Sequence, residues 1–338
     1  MRRWITLISL ALVSGAPIAF AYDACSPLAI ETRANVAVSD GSVFRTETRF
    51  HAAKGSAFTQ RTGDGETLIV VEGPFSWTRA DDTVSAGTEF HKLFALGHQF
   101  HALLLHFEAI AENVEETGEV GFLGDLRAAR SGDYPYGGRV HLVRGDSENR
   151  PLGLLFEFPD IPPISVVFDD WRDHAGTDLP FALEIDDGTR QFTYAYTDIA
   201  IENRSPLWFM RAVGAVDLDA VNVYRLHRQL LAAHCLGDAD MMADLSAEEV
   251  HSANRGRLGT SDRETTRTRF ADVFEAVDYA EYHDLKDPVI RVSDSGDLDS
   301  AADTMKMAFS CAGSTPLAWA RIRCRSLSPR SRFWPARY

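Results

Sequence analysis

From Ile30 to about Leu207 the sequence is dominated by side-chain alternation with a period of two. Ser42 to Phe50 sets Phe44, Thr46, Thr48 and Phe50 on one side, and Val43, Arg45, Glu47 and Arg49 on the other. A run of this kind is a strand with one buried face. Similar runs occupy 67–71, 139–143, 154–158 and 165–168. The clearest turn is Asp187-Gly188, flanked by Phe181-Ala-Leu-Glu-Ile-Asp and Arg190-Gln-Phe-Thr-Tyr-Ala-Tyr, which predicts a hairpin. Evenly spaced antiparallel strands of this length predict a curved sheet or barrel.

One segment departs from the period of two. From Thr88 to about Val114 the apolar residues Leu93, Leu96, Phe100, Leu103, Leu104, Phe107 and Ile110 recur at helical spacing. The expectation is a single amphipathic helix laid across the sheet, burying both apolar surfaces. Its opposite face would carry His91, His98, His101 and His106. His98 and His101 stand three residues apart, close enough to share a transition metal. A histidine-rich metal site is therefore one candidate function, set against a plain polar helix face.

Charge narrows the classes further. The 338 residues hold 34 Lys+Arg and 49 Asp+Glu, a formal charge of −15. An acidic chain repels phosphate backbones, which argues against a nucleic-acid-binding protein. The opening MRRWITLISLALVSGAPIAFA reads as a secretory signal peptide, residues 1–21, with cleavage expected after Ala21. Arg2-Arg3 forms its basic start, a very short n-region that favours ordinary secretion over the twin-arginine reading, and Ala19-Phe20-Ala21 is the small-x-small site. No later run of about 18 apolar residues follows. The expected location is the periplasm or beyond, where disulfides form. Cys25, Cys235, Cys311 and Cys324 match no zinc spacing and allow three pairings. Arg144-Gly145-Asp146 spells an adhesion tripeptide but reads as a turn.

Three segments carry a resemblance: Phe168-Asp-Asp-Trp-Arg-Asp, Leu179-Pro-Phe-Ala-Leu-Glu-Ile-Asp-Asp-Gly and Phe192-Thr-Tyr-Ala-Tyr-Thr-Asp-Ile. They resemble the closing strands of LolA-like (lipoprotein-carrier-like) periplasmic proteins. The resemblance spans roughly residues 28–205. It implies an open β-barrel plugged by helices, acyl chains as ligands in some members, and no catalytic residue. The ligand lining would come from Phe44, Phe50, Phe75, Trp77, Phe156 and Tyr194. A LolA-like β domain is thus expected over 22–207, then a linker over 208–220.

The second half changes rhythm. Val221 to Ala243 predicts a helix, Gly237-Asp238 a break with Asp238 capping a second short helix, and Ser261-Asp-Arg-Glu264 a capping box opening a third. Tyr279 to Val292 alternates as strands. Leu226-His-Arg-Gln-Leu-Leu-Ala-Ala-His234, Asp238-Ala-Asp240, Val250 to Gly256, Arg263-Glu264 with Arg269-Phe270, and Ile290-Arg-Val-Ser-Asp294 resemble the NTF2-like superfamily, in its SnoaL-like or ketosteroid-isomerase-like branch. That resemblance implies an α+β cone over 221–320 and a homodimer formed through its sheet. Isomerases of this fold need a carboxylate base and oxyanion donors in a dry pocket. Asp278, Tyr279, Glu281, Tyr282 and Asp284 are the candidates, with His227 and His234 one heptad apart on the preceding helix.

Residues 321–338, RIRCRSLSPRSRFWPARY, hold six arginines and no acidic residue. They read as a basic arm or as an out-of-frame end. Without leader and tail, 26 Lys+Arg face 49 Asp+Glu, so the body is near −23. The sequence reading is therefore an exported two-domain envelope protein that binds a lipid or other small apolar ligand without catalysis. The alternatives are an NTF2-like isomerase, cyclase or hydrolase on a small apolar substrate, and a metal-binding envelope protein.

Overall fold

The computed structural model describes residues 25–63, 65–134, 137–145, 150–254, 257–284, 287–292, 299–302 and 305–311. The expected leader and basic tail lie outside the described residues, as does the side chain of Glu281. The chain forms two compact units, one of residues 29–202 and one built from the segment before it together with the chain from Asn203 onward.

The first unit begins with six strands: β1 (Leu28–Val38), β2 (Val43–His51), β3 (Gly55–Thr62), β4 (Gly65–Glu72), β5 (Phe75–Ala80) and β6 (Thr83–Ala86). Three short helices follow, α1 (Glu89–Gly97), α2 (Phe100–Leu105) and α3 (Phe107–Ile110). Seven strands complete it: β7 (Glu112–Phe122), β8 (Asp125–Asp133), β9 (Arg139–Val143), β10 (Gly153–Phe158), β11 (Ile161–His174), β12 (Thr177–Asp186) and β13 (Gln191–Asn203). All thirteen strands join one sheet in the order β6-β5-β4-β3-β2-β1-β13-β12-β11-β10-β9-β8-β7. The chain enters at the centre, meanders to one edge, crosses by the helices to the other edge and meanders back. Pairing of β6 with β7 would close a barrel. Those two strands are instead the sheet's edges. The expected barrel is therefore an open sheet, and its gap is spanned in sequence by α1–α3.

Register explains how the faces divide. Ile30 pairs with Phe50, Thr32 with Thr48 and Val36 with Phe44, so these residues share one face. Arg33, Glu47, Arg49 and Arg61 lie on the other, where Glu47 accepts ion pairs from all three arginines. At the predicted Asp187-Gly188 turn, Asp187 Oδ1 accepts from the backbone N–H of Thr189 (2.9 Å) and Arg190 (2.7 Å), and Gly188 takes a φ of +80°. The turn places Ile185 opposite Phe192 and Leu183 opposite Tyr194.

The single amphipathic helix is also corrected: it breaks at Gln99 and again at His106. The cause at Gln99 is local. Its side-chain amide donates to the carbonyls of Ala57 on β3 and Ala95 on α1, both at 3.1 Å. Anchoring to the strand turns the chain, so the apolar stripe follows the curved sheet in short pieces.

The second unit contains α4 (Trp208–Val213), α5 (Asp219–Leu236), α6 (Ala239–Asp244), β14 (Glu249–Asn254), β15 (Arg257–Asp262), α7 (Arg263–Ala276), β16 (Val277–Asp284), β17 (Val289–Val292), β18 (Asp299–Ala302) and β19 (Met305–Cys311). Gly237 ends α5 in the left-handed conformation at φ +62°. Asp238 caps α6 through Met241 N–H at 2.8 Å. Asp262, one residue after the expected Ser261, caps α7 through Thr265 N–H at 2.7 Å. Cys25 and Cys235 form a disulfide, which ties the segment before β1 to α5. A second contact in that segment runs from Arg204 N–H to Pro27 O at 3.0 Å.

The NTF2-like cone expected here is not what the strands form. A cone needs one continuous curved sheet around its helices. The described strands sort into three separate two-stranded ladders, β14-β15, β16-β19 and β17-β18. The homodimer expected through the cone's sheet loses its basis with it.

Candidate functional site

The helix-covered face of the thirteen-stranded sheet is the first candidate. Ala95, Phe100, Leu103, Phe107 and Ile110 are the buried side of α1–α3. Ala95 packs on Ile69 and Val71 of β4. Side-chain hydrogen bonds fix the helices to the sheet. Ser56 Oγ donates to Ala95 O at 3.0 Å, Gln99 reaches Ala57 O, and His101 Nε2 donates to Pro180 O of β12 at 3.0 Å. Ring contacts fill the intervening space: Phe58 with Phe94 at 5.0 Å, Phe58 with His98 at 4.4 Å, Phe100 with Tyr194 at 6.0 Å and His101 with Tyr196 at 4.6 Å.

The six expected lining residues divide between the two faces. Phe44 and Phe50 share the face of Ile30 and Val36. Phe156 pairs with Ile164, and the register carries through β11 and β12 to Tyr194, which touches Phe100 of α2. These four lie on the helix-covered face. Ser76 pairs with Val71 on that face, so its neighbours Phe75 and Trp77 point to the other side. Trp77 is fully buried there.

The four histidines proposed as metal ligands are each engaged locally. Thr88 N–H donates to His91 Nδ1 at 3.0 Å as part of the α1 capping box. His98 Nδ1 donates to Phe94 O at 2.8 Å within its own turn. His101 holds Pro180, and His106 stands at the junction of α2 and α3. A carbonyl only accepts, so His98 and His101 donate at those nitrogens. Burial lowers each of their pKa values from 6.5 to about 4. Among the described residues no three His, Cys, Asp or Glu side chains converge on a metal position.

A serine, a histidine and a carboxylate do line up elsewhere, in a place the alternation alone does not mark. Ser131 Oγ and His141 Nδ1 are 2.7 Å apart, and His141 Nε2 is 3.0 Å from Glu157 Oε2. The three sit on neighbouring strands β8, β9 and β10. Ser131 has no exposed surface. A hydroxyl with no access cannot attack a substrate, so the line acts as a brace across three strands.

In the second unit α5 lies against β16 and brings the other candidates together. His227 Nε2 sits 2.9 Å and 3.1 Å from the two oxygens of Asp284, both side chains being buried. One heptad on, His234 stacks on Tyr282 at 4.0 Å, with Phe270, Phe274 and Tyr279 edge-on around it. Burial lowers the His234 pKa and raises that of the Tyr279 phenol. Asp278 points away from this cluster, into solvent. Tyr279 and Tyr282 therefore join a packed aromatic core, and the carboxylate that meets a histidine is Asp284.

No protein-family model and no curated protein matches the chain. Solved structures do resemble its N-terminal part, over about 55% of its length. A LolA superfamily protein from Nitrosomonas europaea is 9% identical with a TM-score of 0.39, covering 57% of this chain and 94% of that one. A candidate outer-membrane lipoprotein-sorting protein domain from Vibrio parahaemolyticus is 10% identical with a TM-score of 0.36, covering 53% and 87%. A DUF1329 family protein from Desulfovibrio piger is 11% identical with a TM-score of 0.37, covering 56% and 92%. Among the described residues no helix is long and apolar enough to cross a membrane.

Proposed function

We propose that the first unit is a carrier for an apolar chain, an acyl group being the fitting class, in an exported envelope protein. The observation that supports it is the open sheet. Its edges β6 and β7 are not paired with each other, and the apolar face between them is covered by three short helices rather than by strands. Short helical pieces held by a few side-chain hydrogen bonds open at lower cost than a sheet ladder, since each piece can move without breaking strand pairing. An apolar chain would take the place of the helices' buried side against Phe44, Phe50, Phe156 and Tyr194. The energetic drive would be burial of hydrocarbon, about 0.8 kcal/mol per methylene. The Cys25–Cys235 disulfide supports export, because structural disulfides persist in oxidising compartments.

The test is saturable uptake of the dye N-phenylnaphthylamine by solvent-extracted protein, paired with native mass spectrometry of protein taken from its own envelope. One dye site, competed by acyl compounds, and a hydrocarbon-bearing adduct removed by extraction are the expected results. Phe100→Ala, under α2, should change dye affinity, whereas Phe270→Ala in the second unit should not. Absence of both uptake and adduct rejects the proposal.

A further inference from the structure

We infer that Leu123 and Leu126, at the tip of the β7–β8 hairpin, form a contact point that enters the neutral surface of a lipid bilayer. The inference rests on the apolar-carrier reading and names the surface where an acyl chain would be collected or left.

Phe122 pairs with Asp125, so Leu123-Gly124 is a two-residue turn. Both of its residues have positive φ, +53° at Leu123 and +87° at Gly124. Such a turn favours Asn, Asp or Gly at its first position, and a leucine is strained there. Other two-residue turns of the sheet read Asp81-Asp82 and Ala175-Gly176. Leu123 gains no burial in return. It is 65% exposed, and Leu126 is 67% exposed. The preceding residue holds the tip in place. Phe122 is buried in a cluster with Val143 and Leu155, and a Cβ at Gly153 would come 3.1 Å from its ring. One apolar side chain thus clamps the hairpin down while two others face outward. A strained, solvent-facing leucine on an anchored turn adds nothing to the packing of the fold, which points to a surface outside it.

Size, charge and position select that surface. A stable protein interface buries about 800 Å² on each partner, and two leucines on a convex turn offer a small part of that. A bilayer needs no complementary shape and rewards each apolar side chain that enters it. Asp125, beside Leu126, is paired with Arg127 at 3.1 Å, so it would meet the headgroups as half of a neutral pair. The body's net charge near −23 favours neutral over anionic lipid. The hairpin also borders the gap spanned by α1–α3, because β7 is one of the two edge strands.

The test is co-sedimentation of the full-length exported protein with phosphatidylcholine vesicles. It is run on the wild type, on the double variant Leu123→Asn/Leu126→Ser, and on Val43→Ser, a residue just as exposed at the start of β2. The wild type and Val43→Ser should partition alike, and the double variant about tenfold less or lower. Replacing a third of the lipid with phosphatidylglycerol should weaken binding at low salt, and about 0.5 M salt should restore it. The double variant should melt no lower than the wild type, because asparagine suits the turn. The inference is overturned if the wild type stays in solution, if the double variant binds as the wild type does, if anionic lipid strengthens binding, or if the double variant melts lower. It is also overturned if the wild type is a dimer that the double variant dissociates, since the tip would then join two copies of this chain. Uptake of N-phenylnaphthylamine by the same samples separates the two readings. Dye uptake without vesicle binding overturns the membrane contact alone, and vesicle binding without dye uptake overturns the carrier and leaves the contact standing.

Discussion

Helices in both units carry histidines on the side that meets a sheet, and the two units satisfy those histidines differently. Over the large sheet, His98 and His101 donate to backbone carbonyls of Phe94 and Pro180. On α5, His227 meets the carboxylate of Asp284. The difference matters because a carbonyl favours the protonated ring only modestly, too little here to offset burial. A carboxylate accommodates either form and adds charge when the ring is protonated. The helices over the sheet are therefore held by neutral, individually modest bonds, which suits a movable cover. In the second unit, whose described strands form two-stranded ladders, α5 meets β16 through a buried carboxylate.

The sharpest way to break this contrast is to remove one partner on each side. Asp284→Ala removes the carboxylate that a buried imidazole meets and should destabilise the second unit by about 2–3 kcal/mol. His101→Leu loses one neutral bond and leaves the Pro180 carbonyl unpaired, for about 1–2 kcal/mol. Hydrogen exchange on α5 and on α2, read against urea unfolding of each variant, separates the two effects. Equal costs would show that the two units satisfy their histidines alike.

Acidification sharpens the same contrast. In the folded first unit burial lowers the pKa of His98 and His101 to about 4, against 6.5 for an ordinary histidine. Below pH 6.5 the unfolded chain binds protons that the folded chain refuses, so stability falls as the pH drops towards 4 and then levels off. For His101, which is buried, the full loss is about 3 kcal/mol. Melting temperature against pH should fall through this window, and His101→Leu should flatten part of the slope. A wild-type profile that is flat between pH 6.5 and 4 would mean that the cover admits charge.

Much of the sheet was legible because alternation is a one-dimensional signal. Phe44, Thr46, Thr48 and Phe50 lie together on one face, and the Asp187-Gly188 turn joins β12 to β13. Closure was not legible. Whether β6 pairs with β7 depends on accumulated twist over thirteen strands, not on the residues of either strand. The face assignment of Phe75 and Trp77 failed for a similar reason, since strand parity is reset at each turn and must be counted through the pairs. The break of the helix at Gln99 depends on a strand more than forty positions away in sequence, reached by one amide. Tyr196 was visible as the partner of Tyr194 in the Tyr-Ala-Tyr run. In the second half, helix caps at Gly237 and Asp238 could be read locally. The cone could not, because separate ladders and one continuous sheet are built from the same short alternating runs.

The smallest effect tests a third setting for a histidine, inside the sheet itself. His141 lies between Ser131 and Glu157, and the three residues span β8, β9 and β10. If the line is a brace, Ser131→Ala removes one buried hydrogen bond and costs about 1 kcal/mol, with the melting temperature lowered by a few degrees. The wild type should show no hydrolysis of p-nitrophenyl acetate above buffer, and the variant should match it. The reasoning is steric: the serine has no exposed surface, while Glu157 is half in solvent. A nucleophile needs the reverse arrangement, with the hydroxyl reachable and the acid enclosed. Measurable ester hydrolysis that vanishes in Ser131→Ala would make His141 a base and the sheet a catalytic surface. It would also remove the distinction between histidines that hold this fold together and histidines that work on something outside it.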